Sequence, residues 1–189
     1  SSKEFYQNRL KAHHTVASHL VFEKDQPVIF IDTAGCGFEE VYEGTSLSNP
    51  EEAAFMLRHL GIYLEEVQAA GVTGFPTIAV ISPYRHQVEI LKEMMEDENW
   101  STWRSHIAVN TIDSFQGQER DVVFISLTRS NADSTIGFLS DIRRMNVAMT
   151  RARKKLVVVG DSSTLSQFEF YADFIEYAQQ KGGYRSAWD

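Results

Sequence analysis

Five short, predominantly apolar runs constrain this chain more than any other feature. They are Val28 to Ile31, Thr77 to Ile81, Ile107 to Val109, Val122 to Leu127 and Leu156 to Val159. A strand with one solvated face alternates apolar and polar residues, whereas a strand covered on both faces reads as a continuous apolar run. Between the runs lie stretches with helical spacing. Buried strands alternating with amphipathic helices predict a three-layer α/β/α domain around a mainly parallel central sheet. The length of 189 residues suits one such domain.

The helices carry their own punctuation. Asn49-Pro50-Glu51-Glu52 has an N-cap, a proline at the first helical position and a glutamate placed to close a capping box. Ala53, Met56, Leu57, Leu60, Leu64 and Val67 then keep a helical period until Gly71. Ser82-Pro83-Tyr84 opens a helix with Tyr84, Val88, Leu91 and Met95 on one face. The polar connection 96–106 holds Trp100, Trp103 and Arg104, which suit either stacking on bases or docking onto the core. Asp32 to Thr45 reads as a loop, and Ser162 to Gln180 as a final amphipathic region stopped by Gly182-Gly183. Asp141 to Arg153 is expected to be one helix with Ile142, Met145, Ala148, Met149 and Ala152 along the packing arc. On that helix Arg144 and Arg151, seven residues apart, project together. Guanidinium groups suit planar recognition of phosphate or carboxylate.

A net charge of −8 argues against a broad basic surface for nucleic acid, while leaving room for contact through backbone amides and helix N-termini. The single cysteine, Cys36, has no internal disulfide partner, which fits a reducing cytoplasmic (intracellular) setting. No apolar run approaches the roughly 18 residues of a membrane span, and no membrane role is expected. The six histidines lack metal-ligand spacing, so no metal site is expected. Residues 1–26 read as a lead-in from a preceding domain, with a helical piece over Ser2 to Val16; residues 27–183 form the domain and 184–189 a tail. In parallel sheets ligands sit at the carboxyl ends of strands. That rule points to the loops after Ile31, Ile81, Val109, Leu127 and Val159, and those after Ile81 and Val109 open with the polar sets Ser82 to Arg85 and Asn110 to Glu119.

Several of these segments resemble the C-terminal motor domain of superfamily 1 helicases, in the branch holding the nonsense-decay RNA helicase and the Dna2-type enzymes. Val109 to Glu119 is similar to motif V. Arg143-Arg144-Met145-Asn146-Val147-Ala148-Met149-Thr150-Arg151-Ala152-Arg153 is similar to motif VI. Ile81 to Gln87 resembles the motif IV segment Thr-Pro-Tyr-x-x-Gln, with Ser82 for threonine, and Asn49 to Ala53 resembles the Asn-x-x-Glu-Ala stretch ahead of it. The likeness covers nearly the whole chain and implies a RecA-like fold. No Gly-x-x-x-x-Gly-Lys-Ser/Thr is present, so the domain has no phosphate loop of its own. In the family that loop and the magnesium-holding Asp-Glu pair belong to an N-terminal RecA-like domain of the same polypeptide. Phe5-Tyr6-x-Asn8-x-Leu10 looks like sequence found just beyond it.

The resemblance implies residue roles. Arg151 would be the arginine finger reaching the γ-phosphate of ATP, bound with Mg2+ by the other domain. Glu119 would accept hydrogen bonds from the ribose, Gly117 would allow close backbone approach, and Gln116 would couple nucleotide state to the nucleic-acid loop. Arg144 would support the finger or pair with a carboxylate, and Arg153 would brace the helix. Ser82, Pro83, Tyr84, Thr111, Ser114 and Arg129 would contact single-stranded DNA or RNA, with Asp113 ordering its loop through local amides. Where some relatives have an arginine this chain has Pro50, and that phosphate contact has no counterpart. The implied function is the C-terminal motor domain of an ATP-dependent helicase, inactive on its own. The alternative is a non-catalytic nucleic-acid- or protein-binding module on the same fold.

Overall fold

The structure, a computed structural model, describes residues 19–189 apart from Gln116. The helical piece expected over Ser2 to Val16 lies outside those residues. The apolar runs become strands β1 (Val28–Asp32), β4 (Ile78–Ser82), β5 (Ile107–Thr111), β6 (Arg120–Ser126) and β7 (Ala152–Gly160). With β8 (Tyr184–Ser186) they form one sheet in the order β5-β4-β6-β7-β1-β8, and every pairing is parallel. The register runs Val28 opposite Leu156, Val123 opposite Leu156, and Ile78 opposite both Val122 and Ile107.

Both faces of the sheet are covered, which is why its runs carry no polar alternation. Helices α1 (Pro50–Ala70) and α2 (Arg85–Met94) cover one face, where Met56, Leu60, Leu64 and Leu91 meet Ile78, Val80, Val122 and Phe124. Helices α3 (Ile142–Met149), α4 (Ser162–Leu165) and α5 (Glu169–Gln180) cover the other, where Met145, Met149, Tyr171 and Phe174 meet Val123, Ile125, Leu156 and Val158. Successive β6 residues thus alternate between two cores, as the strand period of two requires. Trp100 and Trp103 pack on the first core and Trp103 stacks on Phe75 at 5.4 Å, the docking reading of that connection.

Four features differ from the sequence expectation. The loop after β1 contains a small antiparallel hairpin, β2 (Val41–Glu43) and β3 (Ser46–Ser48). The expected tail supplies β8 to the sheet edge. The final helical region is two helices, broken between Leu165 and Glu169. Most consequentially, the arginine-bearing helix stops at Met149 instead of running to Arg153. The Thr150 hydroxyl donates back to the Asn146 and Val147 carbonyls, and the Arg151 carbonyl accepts from Arg120 N–H at 3.0 Å, which starts the β6–β7 ladder. Strand pairing overrides local helical spacing there.

Candidate functional site

Gly117 and Glu119 lie immediately before β6, and Arg151 immediately before β7. The pairing of Arg120 with Ala152 sets these two strand starts side by side, so Glu119 and Arg151 share the amino edge of the sheet. This corrects the expectation from the carboxyl-end rule: the chain after β5 starts at the carboxyl edge but crosses back before Gly117. Gly117 adopts φ +76, a left-handed conformation that suits glycine. Glu119 is exposed; Arg151 is half-buried, its Nε donating to the Val147 carbonyl at 3.3 Å. Arg153 pairs with Asp121 at 3.2 Å, and Asp121 accepts from the Thr77 N–H at 2.9 Å, so the starts of β4, β6 and β7 are stitched together.

Arg144 and Arg151 do not project together, because Arg151 is past the end of α3. Arg144 instead forms a two-pronged pair with Asp113, Nε to Oδ1 at 3.1 Å and Nη2 to Oδ2 at 2.7 Å. Asp113, expected to bond local amides, ties the 3-10 turn Ile112–Phe115 to α3 through this pair. Among the described residues Arg151 has no ion-pair partner, in contrast to its neighbours Arg144 and Arg153.

The residues after β4 and β6 sit at the opposite, carboxyl edge. β6 is seven residues long, which puts the two edges roughly 20 Å apart. Here the side chains expected to hold phosphate turn inward. Ser82, Pro83 and Tyr84 are buried; the Ser82 hydroxyl accepts from Tyr84 N–H at 3.2 Å and shares a 3.1 Å hydrogen bond with Thr128. Arg129 is buried as well. Its Nε pairs with Glu40 at 3.1 Å and its Nη atoms donate to the Tyr84 and Tyr42 hydroxyls, each at 3.2 Å. Its charge is therefore neutralised within the domain. Ser114 is exposed and Thr111 half-buried.

Sequence reasoning did not single out two further features of this edge. One is a set of exposed aromatic rings: Tyr42 at 61%, Phe138 at 58% and Trp188 at 71% exposure. Each is held from below. Phe138 stacks on Tyr84 at 5.3 Å, Tyr42 accepts from Arg129, and Trp188 Nε1–H donates to the Ala34 carbonyl at 3.1 Å. No periodicity marks such residues. The other is a buried polar network in which the Asn49 and Ser82 segments meet. Gln87 donates to the Asn49 carbonyl and to Ser126 Oγ, both at 3.0 Å, and accepts from Asn49 N–H at 2.9 Å. Asn49 caps α1 by accepting from Glu52 N–H at 3.1 Å, but Glu52 does not close a capping box. Its Oε1 accepts instead from Ser126 Oγ–H at 2.6 Å and from Thr128 N–H at 2.8 Å, while Oε2 is buried with no hydrogen-bond partner. Burial pushes the Glu52 carboxyl up to about 7 against the donors that stabilise its charge.

Among the described residues no three His, Cys, Asp or Glu side chains gather closely enough to hold a metal ion. Nor is any helix among them long and apolar enough to cross a membrane.

Comparison with known proteins places the chain in a family. The family model AAA_12, described as an AAA domain, matches residues 1–163. DNA-binding protein SMUBP-2 of Rattus norvegicus is 34% identical over all of this chain, which spans 19% of that protein. DNA polymerase alpha-associated DNA helicase A of Saccharomyces cerevisiae is 39% identical over 88% of the chain and 26% of its own length. The replication ATP-dependent helicase/nuclease DNA2 of Mus musculus is 35% identical over 78% of the chain and 13% of its own length. The chain thus spans about a quarter or less of these relatives. In structure it resembles the C-terminal domain of a possible DNA helicase from Lactobacillus plantarum, with a TM-score of 0.51 at 13% identity, covering 92% of this chain and 94% of that one. That likeness speaks to the fold, a RecA-like α/β sheet flanked by helices. The family match and the sequence relatives together establish that the chain belongs to the AAA domain family, as a C-terminal motor domain of the superfamily 1 helicases.

Proposed function

We propose that this domain forms one wall of an ATPase site shared with a preceding RecA-like domain, and that it guides single-stranded nucleic acid along its opposite edge. The observation that carries the reading is the adjacency of the Glu119 and Arg151 positions at the amino edge, set by the Arg120–Ala152 register. An exposed carboxylate and an arginine without a carboxylate partner stand where two strand starts converge. Phosphoryl transfer depends mainly on positioning and on neutralising charge on the transferred group. The preceding domain would contribute the phosphate loop and the magnesium ligands. Arg151 would meet the charge on the γ-phosphoryl group, Glu119 would accept from the ribose hydroxyls, Gly117 would allow close backbone approach, and Gln116, outside the described residues, would couple nucleotide state to the nucleic-acid loop. Arg144, held by Asp113, would set the path of that loop without touching nucleotide.

At the carboxyl edge the reading is supported by the uncapped start of α2, which has no side-chain cap and no acidic residue in its first turn. Backbone N–H groups there suit phosphate oxygens. Ser82, Pro83, Tyr84 and Arg129 would act from beneath, ordering this turn. Thr111 and Ser114 would add hydroxyl contacts, and the open rings of Tyr42, Phe138 and Trp188 suit sequence-tolerant stacking on unpaired bases.

Steady-state kinetics of the full-length protein with saturating single strand tests the nucleotide site. Arg151→Ala is expected to lower kcat by about 10³-fold or more with a smaller change in KM, because it removes an interaction strongest in the transition state. Glu119→Ala is expected to raise KM for ATP more than it lowers kcat, by roughly 1.5–3 kcal/mol of binding. A wild-type rate in Arg151→Ala would return the domain to the non-catalytic reading.

A further inference from the structure

The start of β7 overhangs its neighbour. β7 begins at Ala152, yet its register with β1 begins only at Leu156, opposite Val28. Ala152 to Lys155 therefore have β6 on one side and no described strand on the other. The segment ahead of β1 reaches that side at its Lys155 end. Leu156 N–H donates to the Pro27 carbonyl at 2.8 Å, and Lys155 Nζ donates to the Gln26 carbonyl at 2.6 Å and to Asp25 Oδ1 at 2.8 Å. The other Asp25 oxygen accepts from the Tyr63 hydroxyl of α1 at 2.7 Å, and the Lys155 ammonium lies 4.6 Å from the centre of the Tyr63 ring.

The Asp25 and Lys155 side chains are only 4% and 3% exposed. Burial pushes the Lys155 ammonium below its usual value, against the opposing pull of Asp25. A buried ion pair is a poor source of stability, since desolvation costs several kcal/mol per ion and an apolar pair of similar volume often serves as well. What it supplies is a fixed geometry: a short-range, directional link from the lead-in segment to the overhanging strand. Arg151 stands four residues before Lys155, immediately ahead of that overhang.

We propose that Asp25, Lys155 and Tyr63 form a clamp that holds the start of β7 and thereby orients Arg151 in the nucleotide cleft. All three are positioning residues; none touches nucleotide. The clamp also ties residues 25–27 to the strand that leads from Arg151, so one buried group sets both the path of the incoming chain and the aim of the arginine. This inference rests on the nucleotide-site reading of Arg151.

The test is ATPase kinetics of the full-length protein with saturating single strand, using Asp25→Asn, Tyr63→Phe and Lys155→Met, each alone and combined with Arg151→Ala. Loss of aim is expected to lower kcat by about 10-fold, up to ~10²-fold, with KM for ATP changed less than about twofold. In the Arg151→Ala background the same substitutions are expected to add no further loss, because residues acting as a unit are not additive. Equal losses in both backgrounds would mean a general structural effect and overturn the clamp, as would unchanged kcat in the single variants. Should Lys155→Met fail to fold, Tyr63→Phe, which removes one hydroxyl, decides the same question. A wild-type rate in Arg151→Ala alone is a different failure, since it removes the nucleotide-site reading itself.

Discussion

Glu52 shows how local sequence reading succeeds and fails within one turn of helix. Asn49 was legible as a cap because capping is a contact between near neighbours. The partner of its own N–H was not, because that partner is Gln87, on another helix. Displaced from the box, the Glu52 carboxyl lies between α1 and β6, with one oxygen doubly bonded to donors and the other without any. The consequence is a pH dependence with a definite sign. The folded protein holds a proton to about 7, whereas the unfolded chain releases it near 4.5. Stability therefore falls as pH rises through that window and levels off above it, by roughly 3 kcal/mol in all. Glu52→Gln removes the titration. Denaturant melts at pH 5 and pH 8 are expected to show the decline in the natural protein and a flat response in the variant at this site. An identical pH slope in both would exclude Glu52 as its source.

At the scale of elements, the strands that run through both cores were legible and the marginal ones were not. A buried parallel strand has an apolar signature, whereas β2, β3 and β8 are three residues each and owe their existence to what they lie against. The end of α3 was hidden for a similar reason: Thr150 to Arg153 keeps helical spacing, and only the pairing with Arg120 draws it into a strand. That misreading mattered for the site, because it placed Arg144 and Arg151 on one face when they belong to separate structures. Glu119 and Arg151, by contrast, were named from the motifs, although their meeting depends on a register that sequence does not display. Gly182-Gly183 was legible as a stop but not as a docking point. Gly182 takes φ +75 at the end of α5, and a Cβ on Gly183 would run into the Val28 carbonyl oxygen. Phe30 N–H donates to the Gly183 carbonyl at 2.9 Å, where β8 joins the sheet. Gly183→Ala is expected to cost roughly 1–3 kcal/mol by overpacking. Hydrogen exchange is expected to show protection lost at Tyr184–Ser186 while the β6 amides keep theirs.

For the whole molecule, the proposed nucleotide and nucleic-acid contacts occupy opposite edges of one sheet, and a net charge of −8 surrounds both. Binding of single strand by this chain alone is expected to be weak. Its proposed phosphate contacts are hydroxyls and backbone N–H groups rather than lysine or arginine, so its affinity is expected to fall with a shallow log–log salt slope, no steeper than roughly −2, measured by fluorescence anisotropy. A much steeper slope would reveal a basic surface not recognised above. The chain is also expected to fold by circular dichroism yet to turn over no ATP, since it contains no phosphate-loop motif. The strand order carries a consequence for how the protein is made. Among the described strands β1 is the first to leave the ribosome, but both of its neighbours, β7 and β8, are the last. Asp25 must wait for Lys155, 130 residues later. At roughly 5–20 residues per second that is a delay of roughly 6 to 26 s. During it β4, β5 and β6 can already pair with one another, while β1 remains an apolar strand with two open edges. Until Lys155 emerges the growing chain thus carries β1 as an exposed, sticky segment, and β7 completes the sheet only when it inserts between β6 and β1.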